Sequence, residues 1–376
     1  MKKVGKKTFF IIAGEQSGDL HGSKLIKSIK KLYPNSYFIG HGGDLMKKEG
    51  LKLIYHTNDL AVMGLTEVVK KLPFLLNVMG ETLGKIRETK PDRIILIDYP
   101  GFNLRLSKNI SGLDIPITYF ILPQLWAWKE NRKKYFIKYI EQAISIFPFE
   151  KEWFEKNKIL TGYYGHPFSD INISIDEKLS FLKRHNLSDK DEYLILLPGS
   201  RQHEIDKHWP IFLKTVKKLK EIAPDLKILV GQSPGITIPD TEDFLVEANN
   251  IQVAISCSKL ALASSGTVTL ECAVLDTPVV VCYKLSYISN FILNIFNKSK
   301  YISIVNILLG KKAVPELIQS NMNVTSIVKE LSPLLHKSEM RKKMLNGFSE
   351  VRRLLGYPGS YERIANKILQ KTQCQT

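Results

Sequence analysis

The chain has 376 residues, 44% hydrophobic and 24% charged. That is the balance of a soluble globular protein with room for two cores, since single cores stop growing near ~250–300 residues. No run reaches the ~18 apolar residues of a membrane span, and the four cysteines (Cys257, Cys272, Cys282, Cys374) form no CxxC pair, as expected of reduced thiols. The net charge of +17 leaves open a Lys- and Ile-rich composition, an anionic membrane surface, phosphorylated small molecules or nucleic acid. Nucleic acid is the weakest of these, because no zinc-finger spacing or RNP-like motif accompanies the scattered lysines (Lys2, Lys3, Lys6, Lys7, Lys133, Lys134, Lys217, Lys218).

In chain order, the short apolar stretch behind the N-terminal lysines is interrupted by Glu15 and Asp19, so no signal peptide is expected. Strands are predicted at Phe9–Ala13, Tyr37–Gly40, Arg93–Asp98, Ile117–Leu122 and Ala143–Pro148, with amphipathic stretches such as Gly22–Leu32 and Leu72–Thr89 between them. Polar Gly165–Leu187 reads as the crossover. The pattern then repeats at Tyr193–Leu197, Lys227–Val230, Val253–Ser256, Ala261–Ala263 and Pro278–Tyr283, and after Val324 the chain turns helical and polar. Strands this apolar, alternating with helices, belong in parallel sheets covered on both faces.

The first strand runs into Gly14-Glu15-Gln16-Ser17-Gly18-Asp19, and Tyr193–Leu197 runs into Pro198-Gly199-Ser200-Arg201. Each is a buried strand, a tight turn and a helix start, a unit that aims backbone N–H groups at whatever lies above the strand. Two such units predict two Rossmann-like domains facing each other across a cleft, as in an enzyme that joins two substrates.

Five clusters could carry chemistry. Glu15, Ser17 and Asp19 could grip sugar hydroxyls, or be turn and N-cap residues. Asp98, at the end of an apolar strand, is placed where open α/β sheets bind ligands and where burial raises a carboxyl toward general-base duty; a turn aspartate is the plainer account. Pro123–Trp128 holds two of the four tryptophans, to stack on a sugar or acyl chain or simply to pack. Arg201 after Gly199 and Ser200 could fork onto a diphosphate, or pair with Glu204. Ser264–Glu271 offers Gly266 and Thr267 to phosphate and Glu271 to ribose, or a capped helix start. No HExxH or HxH pair is present among the eight histidines, and His166 stands alone.

Ten colinear segments between residues 13 and 319 resemble the lipid-A-disaccharide synthases, inverting glycosyltransferases of family 19 with the GT-B architecture. They are AGEQSGD (Ala13–Asp19), GGDLM (Gly42–Met46), MGLTEV (Met63–Val68), DYPGFN (Asp98–Asn103), PQLWAW (Pro123–Trp128), FPFE (Phe147–Glu150), GHP (Gly165–Pro167), LLPGSR (Leu196–Arg201), SSGTVTLE (Ser264–Glu271) and VNILLGKKAVPELIQ (Val305–Gln319).

The resemblance implies a hexosyltransferase that transfers 2,3-diacylglucosamine from UDP to the 6-hydroxyl of 2,3-diacylglucosamine 1-phosphate (lipid X). The products would be UDP and the β-1,6-linked lipid A disaccharide of Gram-negative bacteria. It implies no metal or other cofactor. Asp98 is expected as the base or its orienting partner, with Glu15, Ser17, Asp19, Met63, Asn103 and Trp126 at the acceptor. Arg201, Ser200 and Gly199 are expected on the diphosphate, with Gly266, Thr267, Glu271, Asn306, Glu316 and Gln319 completing the UDP side.

Three parts are then expected: an acceptor domain over 1–170, a UDP-sugar domain over 171–340, and a helical tail over 341–376 that either stays put or packs back on the first domain. The charge would serve an anionic inner-membrane surface met peripherally from the cytoplasm, with Leu72–Met79 behind Lys70 and Lys71 as the apolar patch or else a buried helix. Monomer and homodimer are both open. The rival readings are a UDP-sugar epimerase or another GT-B transferase, a two-lobed solute-binding protein, which would need export, and a nucleic-acid-binding protein.

Overall fold

The computed structural model describes residues 7–60, 71–126, 130–284 and 300–373. The chain divides into two compact units, Met1–Asp170 with Gly356–Thr376, and Ile171–Leu355.

Among the described residues, unit 1 is built on β1 (Thr8–Ala13), β2 (Tyr37–Gly42), β3 (Leu51–His56), β4 (Arg93–Ile97), β5 (Ile117–Phe120), β6 (Gln142–Ser145) and β7 (Thr161–Tyr163). They lie in the order β3-β2-β1-β4-β5-β6-β7, every pair parallel. Phe9–Ala13 and Ile94–Ile97 are wholly buried, because a central parallel strand has helices over both faces. The helix Gln16–Leu32 buries Gly18, Gly22, Leu25, Ile26 and Ile29, the three-and-four spacing of one helical face.

Unit 2 repeats the plan with β8 (Tyr193–Leu197), β9 (Lys227–Gly231), β10 (Leu245–Glu247), β11 (Leu260–Ser264), β12 (Val279–Tyr283) and β13 (Glu316–Ile318), ordered β10-β9-β8-β11-β12-β13 and again parallel. In both units the chain leaves its first strand in one direction and returns to add strands on the other side. The reversal falls between β1 and β4, and between β8 and β11. Crevices at the carboxyl ends of such strands are where open α/β sheets bind ligands.

Several expectations need correcting. Val253–Ser256 is not a strand but part of the helix Ile251–Cys257. A short apolar run has no decisive period, and here Glu247 accepts the N–H groups of Asn249 and Asn250 at 2.6 and 2.8 Å, turning the chain into a helix. Within the predicted crossover, Ser174 and Glu177 form a capping box that opens the helix Ile175–Arg184. Unit 2 runs to Leu355, not 340, since the helix Glu339–Leu355 belongs to it.

Left-handed Gly356 and Gly359 then break the chain. The helix Ser360–Gln373 packs on Gln16–Leu32 in unit 1, where Tyr361 Oη meets His21 Nδ1 at 2.7 Å and Glu362 pairs with Lys31 at 2.7 Å. The helix Leu72–Thr89 is formed as expected, but its first turns are not core: Leu72, Phe74 and Leu76 are exposed, Leu76 by 62%, and burial begins at Val78.

Candidate active site

Asp98 and Tyr99 follow β4 in the left-handed region, at φ 44° and 49°. For residues with a Cβ, and a bulky one at Tyr99, that costs of order 1–3 kcal/mol each unless the surroundings enforce it. They do. Asp98 N–H donates to Phe120 O at 3.1 Å, and its carbonyl accepts Tyr119 Oη at 2.5 Å and Asn103 Nδ2 at 2.7 Å. Tyr99 Oη donates to Leu60 O at 3.0 Å. Gly14 completes the elbow: a Cβ there would lie 2.3 Å from the Tyr99 ring, so any larger residue would push the turn apart.

The elbow lifts the Asp98 carboxyl to the top of the sheet. Burial, then the charge of Glu15, pushes its pKa up to about 7, against the Tyr99 N–H, which favours the anion. A carboxyl poised there can accept a proton near neutral pH.

The predicted acceptor residues separate. Glu15 and Ser17 are exposed beside the elbow, and Glu15 acts electrostatically on Asp98 and Tyr99. Trp126 is half-buried at the end of β5. Asp19 is not free for a ligand: it is buried and accepts the N–H groups of Gly43, Leu45 and Met46 at 2.7, 3.1 and 2.9 Å, holding the start of the helix Asp44–Lys48. Asn103 is wholly buried, and its Nδ2 donates to the carbonyls of Ile97 and Asp98, so it supports the elbow. Met63 lies outside the described residues.

Sequence reasoning missed three neighbours in this unit. Glu150, in the first turn of the helix Pro148–Lys156, is 1% exposed; it meets Ser145 Oγ at 2.7 Å and Trp126 Nε1 at 3.3 Å. Burial, with Asp98's charge adding, pushes it up to about 7 against the Ser145 and Trp126 hydrogen bonds. The signal was FPFE, an acid two residues past a proline that opens a helix just after a buried strand. The other two are His21 and its partner Tyr361, whose contact only the returning C-terminal helix creates; burial, then Lys24, holds His21 down at about 4. His166 accepts Phe168 N–H at 2.9 Å, packs between Phe147, tilted, and Phe168, edge-on, and is kept neutral by burial at about 3.

In unit 2 the turn after β8 is backbone-rich. Gly199 has φ +143°, and a Cβ would sit 2.6 Å from Glu204 Oε2. Glu204 is buried and accepts Ser200 N–H at 3.0 Å. Its contact with Arg201 is long, 3.9 Å, and the Arg201 side chain is 53% exposed, with room to meet a ligand. One helical turn on, buried His208 donates Nδ1–H to Pro198 O at 2.7 Å and accepts Lys284 N–H at Nε2, 3.1 Å. The carbonyl can only accept, so this tautomer is set, and the imidazole ties the β8 turn to the end of β12. His208 was missed, and Glu204 was read only as a surface partner of Arg201; their four-residue spacing after the turn was the available signal.

After β11, Gly266 and Thr267 are exposed. Thr267 stands at the N-cap of Val268–Val274 with no side-chain capping bond, which contradicts a simple cap and leaves its hydroxyl presented outward. Ser264 Oγ is buried without a protein partner among the described residues. Glu271 is half-buried one turn further on.

Asn306 is wholly buried with its amide fully engaged: Oδ1 takes the N–H groups of Ala313 and Val314, and Nδ2 donates to Val314 O and Glu316. Glu316 also accepts from Ile302 and Ser303. These two shape a loop rather than face a ligand. Gln319 is exposed past β13 at φ 54°.

Among the described residues no three or more His, Cys, Asp or Glu gather as a metal site, and no helix is long and apolar enough to cross a membrane. Cys257, Cys272 and Cys282 are free thiols.

Two parallel-sheet Rossmann-like units, one presenting a poised carboxyl and the other a glycine turn with an arginine, place the chain in the GT-B class of nucleotide-sugar enzymes. Staphylococcus aureus MnaA in its UDP co-structure has TM-score 0.67 at 14% identity, covering 97% of this chain and 96% of that one. The UDP-GlcNAc 2-epimerase of Neisseria meningitidis bound to UDP-GlcNAc has TM-score 0.61 at 13% identity, covering 98% and 99%. At such identities the likeness is one of fold. The family is specified by sequence: the family model described as lipid-A-disaccharide synthetase matches residues 9–363. A relative from Syntrophus aciditrophicus (strain SB), named lipid-A-disaccharide synthase, is 34% identical over 383 residues, 99% of this chain and 100% of its own. The chain belongs to the lipid-A-disaccharide synthase family.

Proposed function

We propose that the chain condenses UDP-2,3-diacylglucosamine with lipid X, inverting the anomeric centre, to give the β-1,6-linked disaccharide 1-phosphate and UDP. Asp98 takes the proton of the acceptor 6-hydroxyl as its oxygen attacks the anomeric carbon, and Glu15, Ser17 and Trp126 line the acceptor side. The negative charge gathering on the departing UDP falls to Arg201, the N–H groups of Gly199 and Ser200, and Gly266 and Thr267, with Glu271 and Gln319 toward the nucleoside. The observation that carries this reading is the strained elbow, which holds a carboxyl near pH 7 at the switch point of unit 1. Incubation with both substrates, reading disaccharide and UDP by mass spectrometry, tests it. UDP release without disaccharide, or interconversion of the UDP-sugar, would sink it.

The acyl chains of acceptor and product put the reaction at a membrane surface. Exposed Leu72, Phe74 and Leu76 behind Lys71 suit peripheral docking on the anionic cytoplasmic face of the inner membrane.

A further inference from the structure

We propose that Glu150 is carried as a neutral carboxylic acid, its hydroxyl bonded to Ser145 Oγ and its second oxygen accepting the Trp126 indole N–H, and that it thereby fixes the orientation of the Trp126 indole. The inference rests on the reading of Asp98 and Trp126 as the acceptor side.

A count of protons carries it. Ser145 Oγ lies 2.9 Å from Phe147 N, 2.8 Å from Phe147 O and 2.7 Å from Glu150 Oε2. The Phe147 N–H donates to Oγ. The Phe147 carbonyl can only accept, and at 2.8 Å it takes the single serine proton; the Lys151 N–H adds a longer bond, 3.4 Å, to the same carbonyl, whose two lone pairs accommodate both. The remaining contact, between Oγ and Glu150 Oε2, then needs a proton from Glu150. On the other oxygen, Trp126 Nε1–H donates at 3.3 Å. A carboxylate here would be almost wholly buried, with a long bond from the indole, a share of one serine proton and no ion pair to a cation among the described residues, an arrangement that disfavours the charge strongly.

The surrounding groups agree. Asp98 faces Glu150 from the end of β4, and its negative charge disfavours a second one. The loop beyond β7 contributes neutral His166, packed on Phe147. The helix carrying Glu150 adds Lys151, Glu152, Glu155 and Lys156 further along. The Trp126 ring rests edge-on against Phe149 at 5.3 Å, so the indole is held by a ring at one side and by the Glu150 acid at its N–H. A neutral acid also spares Asp98 a further negative neighbour beside that of Glu15.

The test combines pH profiles with tryptophan emission. In wild type, kcat falls and the emission of Trp126 shifts as pH rises past about 7 and Glu150 ionises. In Glu150→Gln the amide donates to Ser145 and its oxygen still accepts from Trp126, so the alkaline fall and the emission shift both disappear. Glu150→Ala loses the contact and falls about tenfold below Glu150→Gln in kcat/KM. Trp126→Phe abolishes the emission shift and so assigns it.

An alkaline limb or emission shift that persists in Glu150→Gln overturns the proposal, as does a Gln variant no better than the Ala variant. If Glu150→Ala fails to fold, the comparison of wild type with Glu150→Gln decides alone. The emission titration repeated in Asp98→Asn separates the two readings. A shift that remains there, at lower pH, supports Glu150 whatever the role of Asp98, and its loss from Glu150→Gln alone marks Glu150 as the titrating group.

Discussion

The two units share a topology, yet Asp98 and Glu150 of unit 1 and Glu204 and Glu316 of unit 2 are used in opposite ways. In unit 1, Asp98 and Glu150 are desolvated with few donors around them, and both are pushed up to about 7. In unit 2, Glu204 and Glu316 each accept backbone N–H groups and are spent on holding loops, while Arg201, Gly266 and Thr267 face outward. That contrast is what the proposed roles require: a proton acceptor in unit 1 and an anion site in unit 2. Parallel strands ending in tight turns supply the same scaffold; the number of N–H groups aimed at each carboxyl sets its role.

The largest test of this contrast removes the base. Asp98→Asn keeps the elbow's shape and should lower kcat about 10²–10⁴-fold, with UDP binding measured by calorimetry little changed. Near-normal turnover would remove Asp98 from the chemistry. In wild type the acid side of the profile should fall as pH drops below about 7, because Asp98 is then protonated and cannot accept.

On the other side, Arg201→Ala should lower kcat/KM about 10²–10³-fold and weaken UDP about 10–100-fold. Arg201→Lys should recover only part, since a point charge replaces a two-pronged donor. Unchanged UDP affinity in Arg201→Ala would show that unit 2 does not hold the diphosphate through this residue.

A smaller effect is on stability. Glu150 is raised from its ordinary 4.5 to about 7, so over that window the folded chain keeps a proton the unfolded chain has released. Stability therefore falls as pH rises from about 4.5 to about 7 and then levels. Glu150→Gln lacks this loss, and between pH 4 and pH 8 its urea-unfolding stability should gain up to about 3 kcal/mol relative to wild type. A constant difference would mean Glu150 does not titrate there.

The smallest expected effect is that of a chelator. With Arg201 and the loop N–H groups on the leaving diphosphate, turnover should be unchanged in excess EDTA. Loss restored by Mg²⁺ would overturn the view that unit 2 neutralises the anion unaided.

What could be read directly from the chain were the interior strands. β1, β2, β4, β5 and β6, and β8, β9, β11 and β12, announce themselves as apolar runs because they are buried on both faces. The unread strands, β3, β7, β10 and β13, are the four sheet edges. An edge meets solvent and carries mixed residues such as Leu-Lys-Leu-Ile-Tyr-His, so its pairing with a neighbour, not its pattern, makes it a strand. The same division runs through the site. Sequence alone determined which turns end the central strands, and with them Asp98 and Arg201, since side-chain chemistry at a fixed place in a repeating unit is local information. Only the tertiary structure decided that Asp19, Asn103 and Asn306 are consumed by backbone groups, that Tyr361 arrives from the far end of the chain at His21, and that Glu150 loses its water. Hydrogen-bond partners and desolvation are set by residues distant in sequence, and a carboxyl's role follows from them.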